Sequence, residues 1–191
     1  MVRQIAASGV RSRREALCRC PVYDQRELLY ELIQRLGFDF QRGRLDVSLH
    51  PFCSGSGMDT RLTTRFNADA PLDSLFGAIH ETGHGLYEQG LPVEYHGTAI
   101  GMNAGMAWHE SQSRLWENQV ARSREFWKYF EPRFRSRFTE QSSVLDSDEL
   151  YLAVNTVRPG CIRVEADEVT YNLHIMLRFE LELALLEGSL S

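Results

Sequence analysis

Hydrophobic residues recur at helical spacing along most of this chain. Residues 24–36, "DQRELLYELIQRL", place their leucines and isoleucine on one stripe, with Asp24 positioned to cap a helix and Gly37 to end it. The same spacing predicts further helices over residues 75–89, 99–130, 146–157 and 162–188. For the helix over 75–89, Asp73 or Ser74 is the predicted cap and Gly90 the stop, and the helix over 99–130 is expected to end before Pro132.

Two short segments change from helical spacing to alternation. Residues 44–50 alternate leucine and valine with polar neighbours, and residues 61–66 are rich in threonine and end in an aromatic residue. The turn-rich stretch "CSGSGMD" separates them, which predicts a small β-hairpin directly before the helix over 75–89. A chain of 191 residues suits one domain, so we predict a mainly α fold with one small hairpin.

Composition narrows the classes of partner. Hydrophobic residues make up 43% and charged residues 25%, with a net charge of -5, so a general affinity for nucleic acid or an anionic membrane is not expected. No apolar run approaches the ~20 residues that span a bilayer. No apolar signal segment is evident, and the four cysteines show no metal-binding spacing. We therefore expect reduced thiols and a cytoplasmic location.

The segment "AIHETGHGLYEQG" carries the clearest candidate chemistry. On a helix, His80 and His84 lie one turn apart and can reach one ion, and Glu81 projects nearby, where it can deprotonate a water. Zinc with such ligands hydrolyses peptide bonds, because it lowers the pKa of water and polarises the carbonyl. The alternative is a helix with chance histidines. Gly83 and Gly85 argue against it, since mid-helix glycines cost about 1 kcal/mol each but leave room for substrate or a close neighbour.

A third ligand is expected from the segment "AWHESQSRLWENQ". Glu110 lies 26 positions after His84, enough for a loop and a second helix that packs against the first. Two interpretations of Glu110 remain open from spacing alone, a zinc ligand or a surface carboxylate paired with Arg114. His109 is a rival ligand, although on a helix it points about 100° away from its neighbour. Arg114 and Glu117 follow on the same face and are candidates to orient the ligand.

Separated motifs together resemble one family. "HETGHGLYEQG" and "HESQSRLWEN" are similar to the M32 metallocarboxypeptidases, as are "HPF" at 50–52, "DTRLT" at 59–63 and "IRVEAD" at 162–167. These motifs stand in the family's order, and the resemblance extends from about residue 20 to the end. It implies a helical, zincin-like metallopeptidase core, a groove with a small sheet beside the metal, and a possible homodimer.

The resemblance also implies roles for individual residues. His80, His84 and Glu110 would bind Zn²⁺, with Co²⁺ as another possible metal, and Glu81 would be the general base and then protonate the leaving amine. The substrate would be the C-terminus of a peptide, from which single residues are released. Candidates for binding the substrate are Arg61, Arg163 and His50. The competing interpretation is structural: Arg61 pairs with Asp59, Arg163 pairs with Asp167, and His50 fixes the hairpin.

Members of the family are longer than this chain. They have an N-terminal helical region and a downstream G-x-x-Q-D-x-H-W motif, so we expect residues 1–191 to form a single catalytic-core segment that corresponds to their central portion. Two other hypotheses stand beside the carboxypeptidase. One is a catalytically silent helical module that binds zinc or a partner. The other is a different HExxH peptidase such as an aminopeptidase, which the arginine motifs disfavour.

Overall fold

The computed structural model describes residues 4–5, 19–138, 145–157, 159–163 and 166–190. Cys18 and the middle of the "IRVEAD" segment lie outside these ranges. The α-helices are α1 (Val22–Arg35), α2 (Pro71–Gln89), α3 (Met106–Arg114), α4 (Arg124–Arg137), α5 (Ser147–Val154) and α6 (Glu168–Leu186). The strands are β1 (Gly43–Val47), β2 (Cys53–Ser56) and β3 (Asp59–Thr64). The prediction of a mainly α fold with a small β element is confirmed.

Helix α1 buries the predicted stripe of leucines but begins earlier than predicted. Pro21 occupies the N-cap position, and its carbonyl oxygen accepts a hydrogen bond from the backbone nitrogen of Gln25 at 3.0 Å. Asp24 is therefore not the cap and lies in the first turn, where its charge favours the positive end of the helix dipole. The buried residues of α1 pack against α2 and α4 and belong to a single core that includes Ile33, Phe38, Leu45, Leu62 and Ile79.

The sheet differs from the predicted hairpin in its pairing. The two strands that the sequence predicts, β1 and β3, run parallel, with Leu45 opposite Leu62. The segment expected to be a turn supplies β2, which pairs antiparallel with β3 and places Cys53 opposite Leu62 as well. The strand order is β1-β3-β2, so the hairpin is β2–β3 and β3 is the central strand. Leu62 is fully buried at the centre because strands flank β3 on both sides.

Helix α2 ends at Gly90 as predicted and starts four residues before the predicted start, with Pro71 in its first turn. Its two central glycines are sites of close packing. A Cβ added at Gly83 would collide with the backbone of Ser113 and Gln112 on α3, and one at Gly85 would lie 2.8 Å from side-chain atoms of Leu62 and Phe38. The sequence indicates that these glycines leave room either for substrate or for a close neighbour, and the structure shows a close neighbour at both.

The predicted helix over 99–130 is wrong as a single element. A short 3₁₀ turn at Ala99–Gly101 is followed by α3, by a π-helical turn over Leu115–Val120, and then by α4 after a break. Ser123 caps α4 by accepting a hydrogen bond from the backbone nitrogen of Phe126 at 3.1 Å. Helix α4 continues through Pro132 because the aromatic side chains on both sides of it are buried in the core, and that packing outweighs the lost backbone hydrogen bond.

The last two helices have carboxylate caps. Asp146 and Glu149 form a capping box at the start of α5, which confirms the cap and start predicted there, although the helix ends at Val154. Helix α6 starts at Glu168, later than predicted. Its N-cap is Asp167, whose carboxylate accepts hydrogen bonds from the backbone nitrogens of Val169 and Thr170. Most large apolar side chains of α6 are exposed. None of the helices in the described part of the chain combines the length and the apolar composition that a membrane-spanning helix needs.

Candidate metal centre

Helices α2 and α3 bring His80, His84 and Glu110 together. Glu110 Oε2 lies 3.7 Å from His80 Nε2 and 3.3 Å from His84 Nε2. One ligand atom from each of the three residues lies within 4.8 Å of the other two. Among the residues that the structure describes, these three form the group of histidine, cysteine and acidic side chains that could hold a metal ion. Two ligands held at about 2.1 Å by one tetrahedral ion are about 3.4 Å apart, so the group fits a zinc-like ion.

Gly83 makes this convergence possible. It lies between the two histidines, at the point where α2 meets the backbone of α3 at Gln112 and Ser113. Without a side chain at position 83, the helix axes can approach closely enough for the short carboxylate arm of Glu110 to reach both imidazoles. The glycine in the middle of the His-Glu-x-x-His pattern therefore sets the distance between the ligand-bearing helices.

The Nδ1 atom of His80 is held by a carboxylate. Glu117 can only accept, so His80 donates from Nδ1 to Glu117 Oε2 at 2.8 Å, and Arg114 donates to the same oxygen at 3.1 Å. Burial disfavours the charge of Glu117, but the hydrogen bond from His80 and the charges of His80, Arg114 and Arg122 together outweigh burial, so the pKa of Glu117 is lowered. Burial likewise opposes the charge of His80, yet Glu117 raises the pKa of His80. Glu117 thus orients the ligand His80, whereas the sequence suggested that Glu117 would orient the ligand Glu110.

The Nδ1 atom of His84 is held differently. It lies 2.6 Å from Nδ1 of His109, and Nε2 of His109 lies 2.8 Å from Glu88 Oε1. Asn103 donates to the same Glu88 oxygen at 3.1 Å. His109 therefore contacts the side of the His84 ring that faces away from Glu110. Sequence reasoning missed Glu88, although its position four residues after His84 continues the helical face that carries the two histidines.

Both imidazoles consequently present Nε2 to the same carboxylate. The hydrogen bond with His84 lowers the pKa of Glu110 to about 2, so the carboxylate is charged and available as a ligand. The Glu110 side chain is 40% exposed, whereas that of His84 is 10% exposed. The cluster is therefore closed on the side of the helices and open on the side of Glu110, as a catalytic metal site that keeps one position free requires.

Glu81 lies beside the cluster and is buried. Burial raises the pKa of its carboxyl group, and the charges of His80 and His84 oppose that rise. Strand β2 borders the same region, because Glu81 and Glu88 both act electrostatically on Cys53, whose pKa burial raises to about 12. The Cys53 thiol is thus kept protonated.

Comparison with known proteins identifies the family. The family model for carboxypeptidase Taq (M32) metallopeptidases matches residues 1–191. The chain belongs to the M32 family. Membership of a metallopeptidase family implies a divalent metal, and His80, His84 and Glu110 are the described residues that could hold it.

Several M32 relatives are similar over at least 97% of this chain. Thermostable carboxypeptidase 1 of Thermus thermophilus is 50% identical, over 98% of this chain and 37% of that protein. Carboxypeptidase 1 of Bacillus subtilis is 37% identical, over 100% of this chain and 38% of that protein. The crystal structure of the M32 carboxypeptidase from Deinococcus radiodurans R1 has a TM-score of 0.92 at 44% identity, covering 97% of this chain and 37% of that one. The chain thus spans less than two fifths of these M32 proteins.

Of the motif residues expected to bind substrate, Arg163 has a connection to the metal cluster. It donates to the hydroxyl of Tyr171 at 2.5 Å. The guanidinium of Arg114 lies 3.8 Å from the centre of the same ring and also bonds Glu117. Tyr171 therefore stands between Arg163 and the residues that orient His80. Asp167, the alternative partner of Arg163, is engaged in capping α6.

Arg61 and His50 lie outside the cluster. Arg61 is exposed and pairs with Asp59 at 2.8 Å. Because side chains alternate along β3 and Leu62 faces Gly85 of α2, Arg61 projects from the opposite face of the sheet. His50 is exposed, and its neighbour Pro51 packs near Gly77, one turn before Glu81. The structure therefore brings neither residue to the metal ligands.

Proposed function

We propose that this chain forms the active core of a zinc-dependent carboxypeptidase that releases single amino acids from the C-termini of peptides. The observation that carries the proposal is the convergence of His80, His84 and Glu110 next to the buried Glu81, in a chain of the M32 family. The relatives named above are carboxypeptidases, which supports the same reaction here.

His80 and His84 would hold the ion through Nε2, and Glu110 would hold it through its carboxylate. Two imidazoles and one carboxylate are a ligand set that suits zinc, and cobalt accepts the same donors. When bound, the ion polarises the scissile carbonyl group and lowers the pKa of water. The open side of the cluster at Glu110 leaves space for the substrate carbonyl.

Glu81 is proposed as the general base. Its carboxylate accepts a proton from the attacking water as the water oxygen bonds to the carbonyl carbon. When the peptide C–N bond breaks, Glu81 returns that proton to the leaving amine nitrogen. A carboxyl group whose pKa is raised by burial suits both steps, because it moves closer to the pH at which the reaction runs.

The free carboxylate of the substrate requires a cation, and Arg163 is the candidate that its placement favours. A guanidinium can bind a carboxylate with two parallel hydrogen bonds, and Tyr171 fixes one edge of Arg163 near the cluster. Arg61 and His50 stay predictions from the motifs, with less support from their positions. The outer edge of β2, next to Glu81, could pair with the backbone of an extended peptide.

The direct test is to measure metal content and hydrolysis in the same preparation of the 191-residue chain. We expect one zinc per chain and release of the terminal residue from an N-blocked dipeptide, with both lost in the presence of a chelator and restored by added zinc. Zinc without release would favour the silent metal-binding module instead. Release that is indifferent to chelation would contradict a metal-dependent reaction.

A further inference from the structure

The two histidines of the metal cluster have different supports at Nδ1. His80 donates directly to a carboxylate, Glu117, whereas His84 contacts another imidazole, His109, which in turn contacts the carboxylate of Glu88. A third histidine, His109, directly precedes Glu110 in the sequence. The role of the contacts from His84 through His109 to Glu88 follows from which atoms donate and which accept.

The hydrogen-bonding capacity of each group indicates which ring nitrogens carry protons along the contacts from His84 through His109 to Glu88. The Glu88 carboxylate accepts from His109, so the proton of the neutral His109 ring is on Nε2. Nδ1 of His109 is then an acceptor, and the atom 2.6 Å away, Nδ1 of His84, must be the donor. With its proton on Nδ1 directed at His109, His84 has Nε2, the atom that faces Glu110, as the ring nitrogen that gives up its hydrogen bond to Glu110 and supplies a lone pair when a metal binds.

We propose that His109, itself oriented by Glu88, is a positioning residue that keeps His84 in the Nδ1–H tautomer with Nε2 ready to bind the metal. The inference rests on the proposed function, in which His84 is a ligand. It replaces the earlier view of His109 as a rival ligand, because both of its ring nitrogens are already engaged, on the side of His84 away from Glu110.

The surroundings favour a fixed arrangement. The side chains of His109 and Glu88 are only 12% and 11% exposed, so water competes weakly for their hydrogen bonds. Tyr87 packs edge-on against the His109 ring at 4.9 Å, and its hydroxyl accepts from the backbone nitrogen of Ala104 at 3.0 Å. The ring of His109 is therefore held by packing as well as by hydrogen bonds.

Two substitutions at position 109 separate this role from simple packing. His109→Phe keeps an aromatic ring against Tyr87 but removes the acceptor. His109→Asn loses the ring but offers a side-chain oxygen near the position of Nδ1. Glu88→Leu removes the group that sets the His109 tautomer. Ser111→Ala, an exposed change on the same helix, is the matched control.

Each variant is measured in two ways. Nitrogen-15 NMR of the imidazoles in the metal-free chain reports the tautomer of His84, and competition with a chelator reports the dissociation constant for zinc. We expect His109→Phe to populate the other tautomer of His84 and to weaken zinc binding 10- to 100-fold, the range typical for loss of such a partner. Glu88→Leu should weaken zinc binding in the same way. For His109→Asn, the change in the logarithm of the zinc dissociation constant should be at most half of that for His109→Phe. Ser111→Ala should bind zinc as the parent does.

The result that overturns the proposal is a His109→Phe chain that stays folded, keeps His84 in the Nδ1–H form and binds zinc within twofold of the parent. Equal losses in the phenylalanine and asparagine variants would also overturn it, because they would indicate packing alone. If the parent chain binds no zinc but its His84 tautomer still depends on His109, the proposed function fails while the positioning role stands.

Discussion

Replacing Gly83 with alanine tests how the metal cluster is assembled. A Cβ at position 83 would lie 2.4 Å from Cα of Ser113 and 2.7 Å from the Gln112 carbonyl oxygen, whereas ordinary contact begins at 3.4 Å. Both partners are backbone atoms, so α2 and α3 must separate locally by about 1 Å, the difference between 3.4 Å and 2.4 Å. That movement carries Glu110 away from His84.

The magnitudes separate stability from metal binding. Overpacking costs about 1–3 kcal/mol, and alanine regains about 1 kcal/mol of helix propensity. The net loss of folding free energy should therefore be only about 0–2 kcal/mol. Ligand distances, in contrast, are tolerated within about 0.2 Å, so we expect zinc affinity to fall about 10- to 100-fold, as when ligand orientation is lost.

Two glycines of the same helix provide controls for this experiment. A Cβ at Gly77 would meet Pro51 and Thr64 at 3.5 Å, an ordinary contact, so Gly77→Ala should keep zinc affinity and gain about 1 kcal/mol of stability from helix propensity. A Cβ at Gly85 would press on the side chains of Leu62 and Phe38, away from α3, so Gly85→Ala should lower stability without lowering affinity. Zinc affinity comes from chelator competition and stability from urea unfolding of the metal-free chain. A Gly83→Ala chain that binds zinc as tightly as the parent would refute the spacing role.

Four further predictions concern single side chains. Glu81→Gln should retain zinc, since it removes only the proposed base, and should abolish release of C-terminal residues; metal analysis and the dipeptide assay check both. Glu110→Ala should lose zinc, and full occupancy would show that it is not a ligand. Glu117→Gln should weaken zinc binding about 10- to 100-fold because a neutral amide supports His80 less well, and chelator competition measures this. Phe134→Ala should cost about 3–5 kcal/mol in urea unfolding, because Phe134 is buried in the core, while the folded chain keeps its zinc affinity.

Features that depend on neighbouring residues could be predicted from the sequence. The apolar stripe of α1, the stop of α2 at Gly90 and the capping of α5 by Asp146 all follow from side chains a few residues apart. The spacing of His80 and His84 is of the same kind. Because one helical turn sets their relative position, the paired imidazoles needed no knowledge of the rest of the fold.

Features that depend on distant contacts were harder to predict. The parallel pairing of β1 with β3 is set by the core that α1 and α2 build around Leu62, and the alternation of each strand is compatible with either direction. The break before α4 and its passage through Pro132 depend on where its aromatic residues are buried. The link from His84 through His109 to Glu88 joins two helices whose closeness depends on Gly83.

The central claim is that one divalent ion binds to His80, His84 and Glu110. Anomalous diffraction at the zinc absorption edge, from crystals of the chain grown with zinc, tests it most directly. We predict a single strong peak within about 2.0–2.2 Å of Nε2 of both histidines and of a Glu110 oxygen, with Nδ1 of His84 still on His109. A peak coordinated by His109, or zinc-loaded crystals with no peak at this cluster, would contradict the account.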